Sequence, residues 1–228
     1  VADGAQQNTT FPSGGTTAHG YLELPESGSG QGVVVVQEWW GLTTHVADVV
    51  RRLAAEGFVA LAPDLYGGAT THDAPEAMRM MQELPPERAA RDLAGAVDHL
   101  VGHPAVTSPT VGAIGFCMGG GFVLSLAAQQ GERVSAAVPF YGLPQGADLT
   151  AIRGAVQGHY GEQDGSVPLD AVREAFATMR GAGVEAELHT YPAGHAFYND
   201  EDLIGTYDPE QAGIAWGRAV AFLRDHVR

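Results

Sequence analysis

The stretch Val111–Gln130 reads VGAIGFCMGGGFVLSLAAQQ. An apolar run with two glycines gives way at Met118 to helix-forming composition, so a buried strand passes into a helix with almost no loop between them. The chain's one cysteine, Cys117, stands on that corner, with Gly115 two residues before it and Gly119 two residues after. G-x-C-x-G at such a corner is the nucleophile-elbow pattern with cysteine in place of serine. The backbone of the nucleophile is forced into a strained turn there, and the flanking positions must lack side chains so that strand and helix can pass closely. The helix starts beneath the sulfur, where unpaired N–H groups favour a thiolate, and the N–H of Met118 is placed to meet an oxyanion. The alternative is that a lone cysteine is simply a packed small hydrophobe. What separates the two is whether partners occur in the right order.

Outward from the elbow, strand and helix patterns alternate. GVVVVQE is a continuous β-branched run, as expected of a strand buried on both faces, and FVALAPDLYGG, VSAAVPFYG, AVQGHYGEQD and EAELHTYP follow as further strands, with AHGYLELP before them. Helices are expected from Thr44 to Glu56, from Ala74 to Leu100 with a break at Pro85–Pro86, after Met118, over PLDAVREAFATMRGAG, and from Asp208 through Leu223. This is the alternation of an α/β protein with a mostly parallel sheet of about eight strands and helices on both faces. In such a sheet the functional site lies at the carboxyl ends of the strands. One domain over residues 1–228 is the expectation for this length.

The partners are there. In this architecture the chain order is nucleophile, acid, histidine. Asp164 follows the strand in GHYGEQD, and His195 follows the last strand in HTYPAGHAFYND. Either could be an ordinary loop residue alone. Three elements in order, each after its strand, make Cys117 a nucleophile with His195 as its base and Asp164 orienting the imidazole. Glu38 ends the valine strand at an apolar place for a carboxylate without a partner. Near the sulfur it would favour the neutral thiol, leaving His195 to generate thiolate when substrate arrives; the bland alternative is a solvated loop acid. Trp39 would offer the second oxyanion N–H.

Together QEWWGL, GFCMGG, YGEQD and PAGHAFY resemble the dienelactone hydrolase family within the α/β-hydrolase fold, over nearly the whole chain. The resemblance implies hydrolysis of an ester or lactone through a thioester on Cys117, with Asp164 and His195 completing the triad, a role for Glu38 near the thiol, and no metal or organic cofactor. Thiolate leaves more readily than most alkoxides, so activated esters and enol lactones, whose leaving group departs as a stabilised enolate, are the expected substrates. The family pattern also implies arginines for a substrate carboxylate, one of them four residues after the catalytic histidine. That position is Asn199 here, a neutral amide without the bidentate charge of a guanidinium. Arg79 is the candidate for the other, or it is a solvated helix charge. Trp40, Tyr141 and Phe197 fall at pocket-lining places, although Trp40 and Tyr141 could equally be rim aromatics. Met78, Met80 and Met81 could form an adaptable wall or fill the core.

Composition narrows the partners. The net charge is −15, from 27 acids against 12 bases that are all arginine. Such a surface repels nucleic acid and anionic membrane, and with Asn199 it argues for a less anionic or larger substrate than a small dienelactone. No apolar run is long enough to span a bilayer, and VADGAQQNTTFPSGG lacks the features of a signal peptide. A single cysteine fits a reducing cytoplasm and excludes an internal disulfide. A monomer or small homo-oligomer acting on a small ester or lactone is expected. The rival readings are an esterase for larger neutral activated esters, an acyl transferase, and a ligand-binding protein on a degenerate hydrolase scaffold.

Overall fold

The computed structural model describes residues 4–228; the first three residues of the N-terminal stretch examined for a signal peptide lie outside it. Eight strands form one sheet in the order β1-β2-β4-β3-β5-β6-β7-β8. They are β1 (Thr9–Ser13), β2 (Thr16–Glu23), β3 (Gly30–Val36), β4 (Val59–Pro63), β5 (Val106–Phe116), β6 (Val134–Phe140), β7 (Ala155–Gly161) and β8 (Ala186–Tyr191). β1 and β2 pair antiparallel, β2 runs antiparallel to β4, and every other pairing is parallel. The fold is therefore the expected α/β architecture. β1 is the element the sequence pattern did not single out.

Six helices cover the faces: α1 (Thr44–Ala55), α2 (Ala74–Glu83), α3 (Pro86–Val101), α4 (Met118–Gln130), α5 (Leu169–Gly181) and α6 (Pro209–His226). The valines of β3 show how the two layers form. Val33 and Val35 point to a core shared with α1 and α6, and Val34 and Val36 to a core shared with α3, α4 and α5. A strand alternates its side chains between faces, so a strand covered on both sides must be apolar at every position. Pro85 and Pro86 divide the long helical pattern where expected, with Asp73 capping α2 through the Glu76 N–H. At α6 the side chain of Asp208 accepts from the N–H groups of Glu210 and Gln211. No helix among the described residues is long and apolar enough to cross a membrane.

Candidate active site

β5 is central in the sheet and turns into α4 at Cys117, whose backbone has φ 54° and ψ −119°. This left-handed conformation is costly for a residue with a Cβ. The packing around it leaves little alternative. A Cβ on Gly115 would sit 2.3 Å from the Gly119 carbonyl oxygen, and one on Gly119 would sit 2.4 Å from that of Val36. On the other side, a Cβ on Gly142 would meet the Cys117 carbonyl oxygen at 1.9 Å. The elbow is thus wedged between β3 and the end of β6, where the Cys117 N–H donates to the Phe140 carbonyl at 3.1 Å. Met118 is the first residue of α4, so its N–H has no partner in the helix ladder. Glu38 and Gly41 close a turn by a 3.2 Å backbone bond, with Trp39 inside it.

The loops after β7 and β8 bring Asp164 and His195 to this corner. His195 Nε2 lies 3.3 Å from Cys117 Sγ, and His195 Nδ1 lies 2.7 Å from Asp164 Oδ2. The other carboxylate oxygen of Asp164 accepts from the N–H groups of Ser166 and Val167 at 2.7 and 2.9 Å. Burial disfavours the charged carboxylate, but the His195 bond and these two N–H groups outweigh it and hold Asp164 below its ordinary range. For His195, burial likewise works against the cation. Its bonds to Asp164 and Cys117 prevail, and its pKa is pushed up to about 10. The side chain of Asp164 is 1% exposed and that of His195 14%, so the imidazole faces the opening while its orienting acid is covered.

Glu38 is 2% exposed, so it is not a solvated loop acid. Its two oxygens accept from the Tyr141 hydroxyl at 3.0 Å and from the Asn199 side-chain amide at 2.5 Å. Tyr141 and Trp40 are 0% and 4% exposed, which removes the rim alternative for both. Tyr141 also meets the His195 ring edge-on at 5.2 Å, and burial followed by the charges of Glu38 and Cys117 raises its hydroxyl far above the ordinary value. Trp40 lines a small cleft with Ala196, Asn199, Leu203, Ile204 and Thr206. Phe197 lies beneath, fully buried against Phe140, Tyr141 and Tyr191; it supports the loop and does not line the cleft.

Arg79 is not brought to the thiol. Its guanidinium lies on the exposed side of α2, bonded to Glu76 at 2.6 Å and to Glu83. Of the three methionines nearby, Met78 is exposed and Met80 buried in the core. The methionine of the site is Met118, whose sulfur receives the Tyr66 hydroxyl at 3.6 Å. Tyr66 escaped the sequence reading although it follows the carboxyl end of β4, the position where that topology gathers functional groups; burial and then the charge at Cys117 raise its hydroxyl. His45 and Asp200, paired at 2.7 Å, also carried no sequence signal. Among the described residues no cluster of three or more His, Cys, Asp or Glu side chains is arranged to hold a metal ion.

The chain is similar to known proteins over nearly its whole length. Residues 18–227 match the dienelactone hydrolase family. Protein usf of Aquifex pyrophilus is 33% identical over 232 residues, covering 97% of this chain and 99% of that protein. A protein of Aquifex aeolicus named "Putative carboxymethylenebutenolidase" is 33% identical over 233 residues, with 97% and 99% covered. Among solved structures, m3DLH superposes with a TM-score of 0.86 at 30% identity, covering 98% of each chain. The dienelactone hydrolase-like promiscuous phosphotriesterase P91, from metagenomic libraries, gives 0.81 at 29%, covering 100% of this chain and 99% of that one.

Proposed function

The chain belongs to the dienelactone hydrolase family, and from that premise we propose that it cleaves an activated ester or enol lactone through a thioester on Cys117. The observation that carries this reading is the single imidazole bridging two partners: His195 Nε2 is 3.3 Å from Cys117 Sγ while Nδ1 is 2.7 Å from Asp164. His195 holds the proton taken from the thiol, as its raised pKa favours, and the thiolate attacks the carbonyl carbon. The tetrahedral oxyanion rests on the backbone N–H groups of Met118 and Trp39. The C–O bond then breaks, and the leaving alkoxide or enolate takes the proton from His195. Water, deprotonated by the same imidazole, attacks the thioester and returns Cys117 as the leaving group.

A neutral or weakly anionic substrate fits the site best. Asn199 stands where the family resemblance implies an arginine and is engaged by Glu38, and Arg79 is engaged by two glutamates of its own helix. The acidic surface, at −15 overall, adds long-range repulsion toward anions.

The test is kcat/KM for a dienelactone and a neutral aryl acetate, in the wild type and in Cys117→Ala. Both activities are expected to depend on Cys117, with the neutral ester turned over at least as well as the dienelactone. Full activity in Cys117→Ala overturns the thioester reading. A strong preference for the dienelactone overturns the substrate reading alone. A neutral aryl phosphotriester belongs in the same panel, because the similar P91 is named for that reaction and because a site without a committed cation does not discriminate against a neutral triester.

A further inference from the structure

The first turn of α1 is not capped by its own sequence. Thr43 makes no side-chain capping bond, and no acidic residue lies in that turn. The acids come instead from the loop that carries His195. Glu201 Oε1 accepts from the Thr44 hydroxyl at 3.3 Å, and Asp200 Oδ1 lies 2.7 Å from His45 Nδ1. The neighbouring Asn199 holds Glu38. Three consecutive side chains thus fasten the His195 loop to Glu38 after β3 and to the first turn of α1.

His45 is unusual within this arrangement. Its side chain is 4% exposed, and its Nε2 is buried without a hydrogen-bond partner among the described residues. The ring meets Phe116, the residue before Cys117, edge-on at 6.4 Å, and Tyr198 at 6.0 Å. Burial and the positive end of α1 both oppose an imidazolium here. Against them stand the carboxylates of Asp200, Glu38 and Glu201. These overcome the burial and raise His45 above its ordinary value. The other titratable groups nearby are already committed: the Tyr198 hydroxyl accepts from Arg52 at 2.5 Å, and His72 lies 3.6 Å from Glu201. A group whose only structural duty was to start α1 would be a serine, threonine or acid, not a buried imidazole bonded to a carboxylate of another loop.

We propose that His45 is a positioning residue for the thiol chemistry: paired with Asp200, it balances the buried Glu38 carboxylate beside the active centre and fixes the loop that presents His195. The proposal rests on the reading of Cys117 as nucleophile, and it adds a residue that touches neither substrate nor sulfur. Its consequence is electrostatic. Without the proton that Asp200, Glu38 and Glu201 favour on His45, the negative potential of Glu38 and Asp200 acts unopposed on the thiol, and the thiolate forms only at higher pH.

The test is the pH dependence of Cys117 alkylation by iodoacetamide in the wild type, His45→Gln and Asp200→Asn, with melting temperature followed in parallel. His45→Gln is expected to move the midpoint alkaline by about half a pH unit or more, slowing alkylation at neutral pH roughly threefold to tenfold. Asp200→Asn removes the carboxylate that favours a proton on His45, so the buried positive charge is lost together with a largely exposed negative one, and its midpoint is expected to move alkaline as well, by less than in His45→Gln. Asp200 is largely exposed, so this second variant provides the sign test even if His45→Gln fails to fold. Midpoints that stay put while melting temperature falls would make His45 purely structural, and a shift of either variant in the wrong direction overturns the proposal. Alkylation reads the thiol itself. Retained turnover in Cys117→Ala would therefore remove the thioester reading without moving these midpoints, and the two failures are distinguishable.

Discussion

Asn199 donates its side-chain amide to Glu38 across 2.5 Å, joining residues 161 positions apart in the chain. The bond satisfies one oxygen of a carboxylate whose other oxygen is held by Tyr141, and it leaves the amide uncommitted to any substrate group. A guanidinium at 199 could pair with Glu38 and still present a charged edge to the cleft. Asn199→Arg is therefore expected to raise kcat/KM for a dienelactone relative to a neutral aryl acetate by about tenfold, equivalent to ~1.4 kcal/mol. The ratio of the two substrates in one enzyme preparation checks this. An unchanged ratio would mean that the cleft does not admit a substrate carboxylate near position 199.

The Asp164 carboxylate has a different duty. With two backbone N–H groups on one oxygen and the imidazole on the other, it fixes both the orientation and the tautomer of His195. Asp164→Asn preserves the shape and removes the charge. Turnover of an aryl acetate should fall by about 10³-fold or more, while the His195 titration moves from about 10 back toward the ordinary histidine value. Following the imidazole resonances by NMR separates this from unfolding. A variant with an undisturbed His195 titration and normal turnover would show that Asp164 is not the orienting acid.

Arg79 offers a contrasting expectation. Its bonds to Glu76 and Glu83 are within one exposed helix face, at spacings where side chains of a helix meet in any case. Arg79→Ala should leave kcat/KM for dienelactone and aryl acetate alike within about twofold. A selective loss on the dienelactone would restore Arg79 to the substrate site.

Much of this site can be read in one dimension because the chemistry is tied to strand ends. Gly115, Cys117 and Gly119 lie within one short motif, and the positions of Asp164 and His195 follow from the strands that precede them. Arg79 was also legible as a surface charge, since its glutamates stand three residues before and four after it. The partners of Glu38 were not. Tyr141 and Asn199 lie 103 and 161 residues away, and no periodicity links them to it. The pair of His45 and Asp200 was hidden for the same reason. β1 was missed on local grounds: it is a five-residue edge strand with Phe11 as its one large apolar residue and Pro12 inside it, which a sheet tolerates only at an edge.

Close packing at the elbow separates two glycines that look alike in sequence. A Cβ at Gly119 would press on the carbonyl oxygens of Val36 and Gln37 at 2.4 and 2.5 Å. Both are backbone atoms of the segment that leads to Glu38 and Trp39, so they cannot swing aside. Gly119→Ala should cost about 2 kcal/mol or more and impair turnover as well, because β3 and its loop must shift. Gly217 in α6 has open space around its Cβ position, and Gly217→Ala should stabilise by about 0.5 kcal/mol through helix propensity and the unfolded chain. Denaturant unfolding of the two variants measures both signs. Equal effects would mean that the elbow relaxes in a way its contacts do not permit.

Acid stability should be governed by a histidine outside the cleft. His159 in β7 is fully buried. Its Nε2 lies 3.1 Å from Gln157 Oε1 and its Nδ1 2.7 Å from the Tyr191 hydroxyl, which in turn accepts from Arg218 at 3.2 Å. Donating to the amide oxygen and accepting from the tyrosine is the pattern of a neutral ring. Burial, followed by the positive charges of His189 and Arg218, pushes its pKa well below the ordinary 6.5. The unfolded chain binds a proton at this residue below that value and the folded chain does not. The stabilisation is therefore present above pH 6.5 and is lost as the pH falls, at up to about 1.4 kcal/mol per pH unit. His45 and His195 are shifted the other way. Their stabilisation is complete below 6.5 and is lost as the pH rises toward the folded-state value, so they add no slope on the acid side. Asp164 and Asp200 start to matter only near the ordinary carboxylate range. Between pH 6.5 and 5 the slope is thus left to the buried His159, with a smaller part from His99 and His189, both also shifted down. His159→Gln should lower the melting temperature at pH 7, because the ring stacks on Phe140 at 4.4 Å, and should flatten the decline toward pH 5. A variant that is less stable at pH 7 yet declines as steeply as the wild type would place the acid-sensitive group elsewhere.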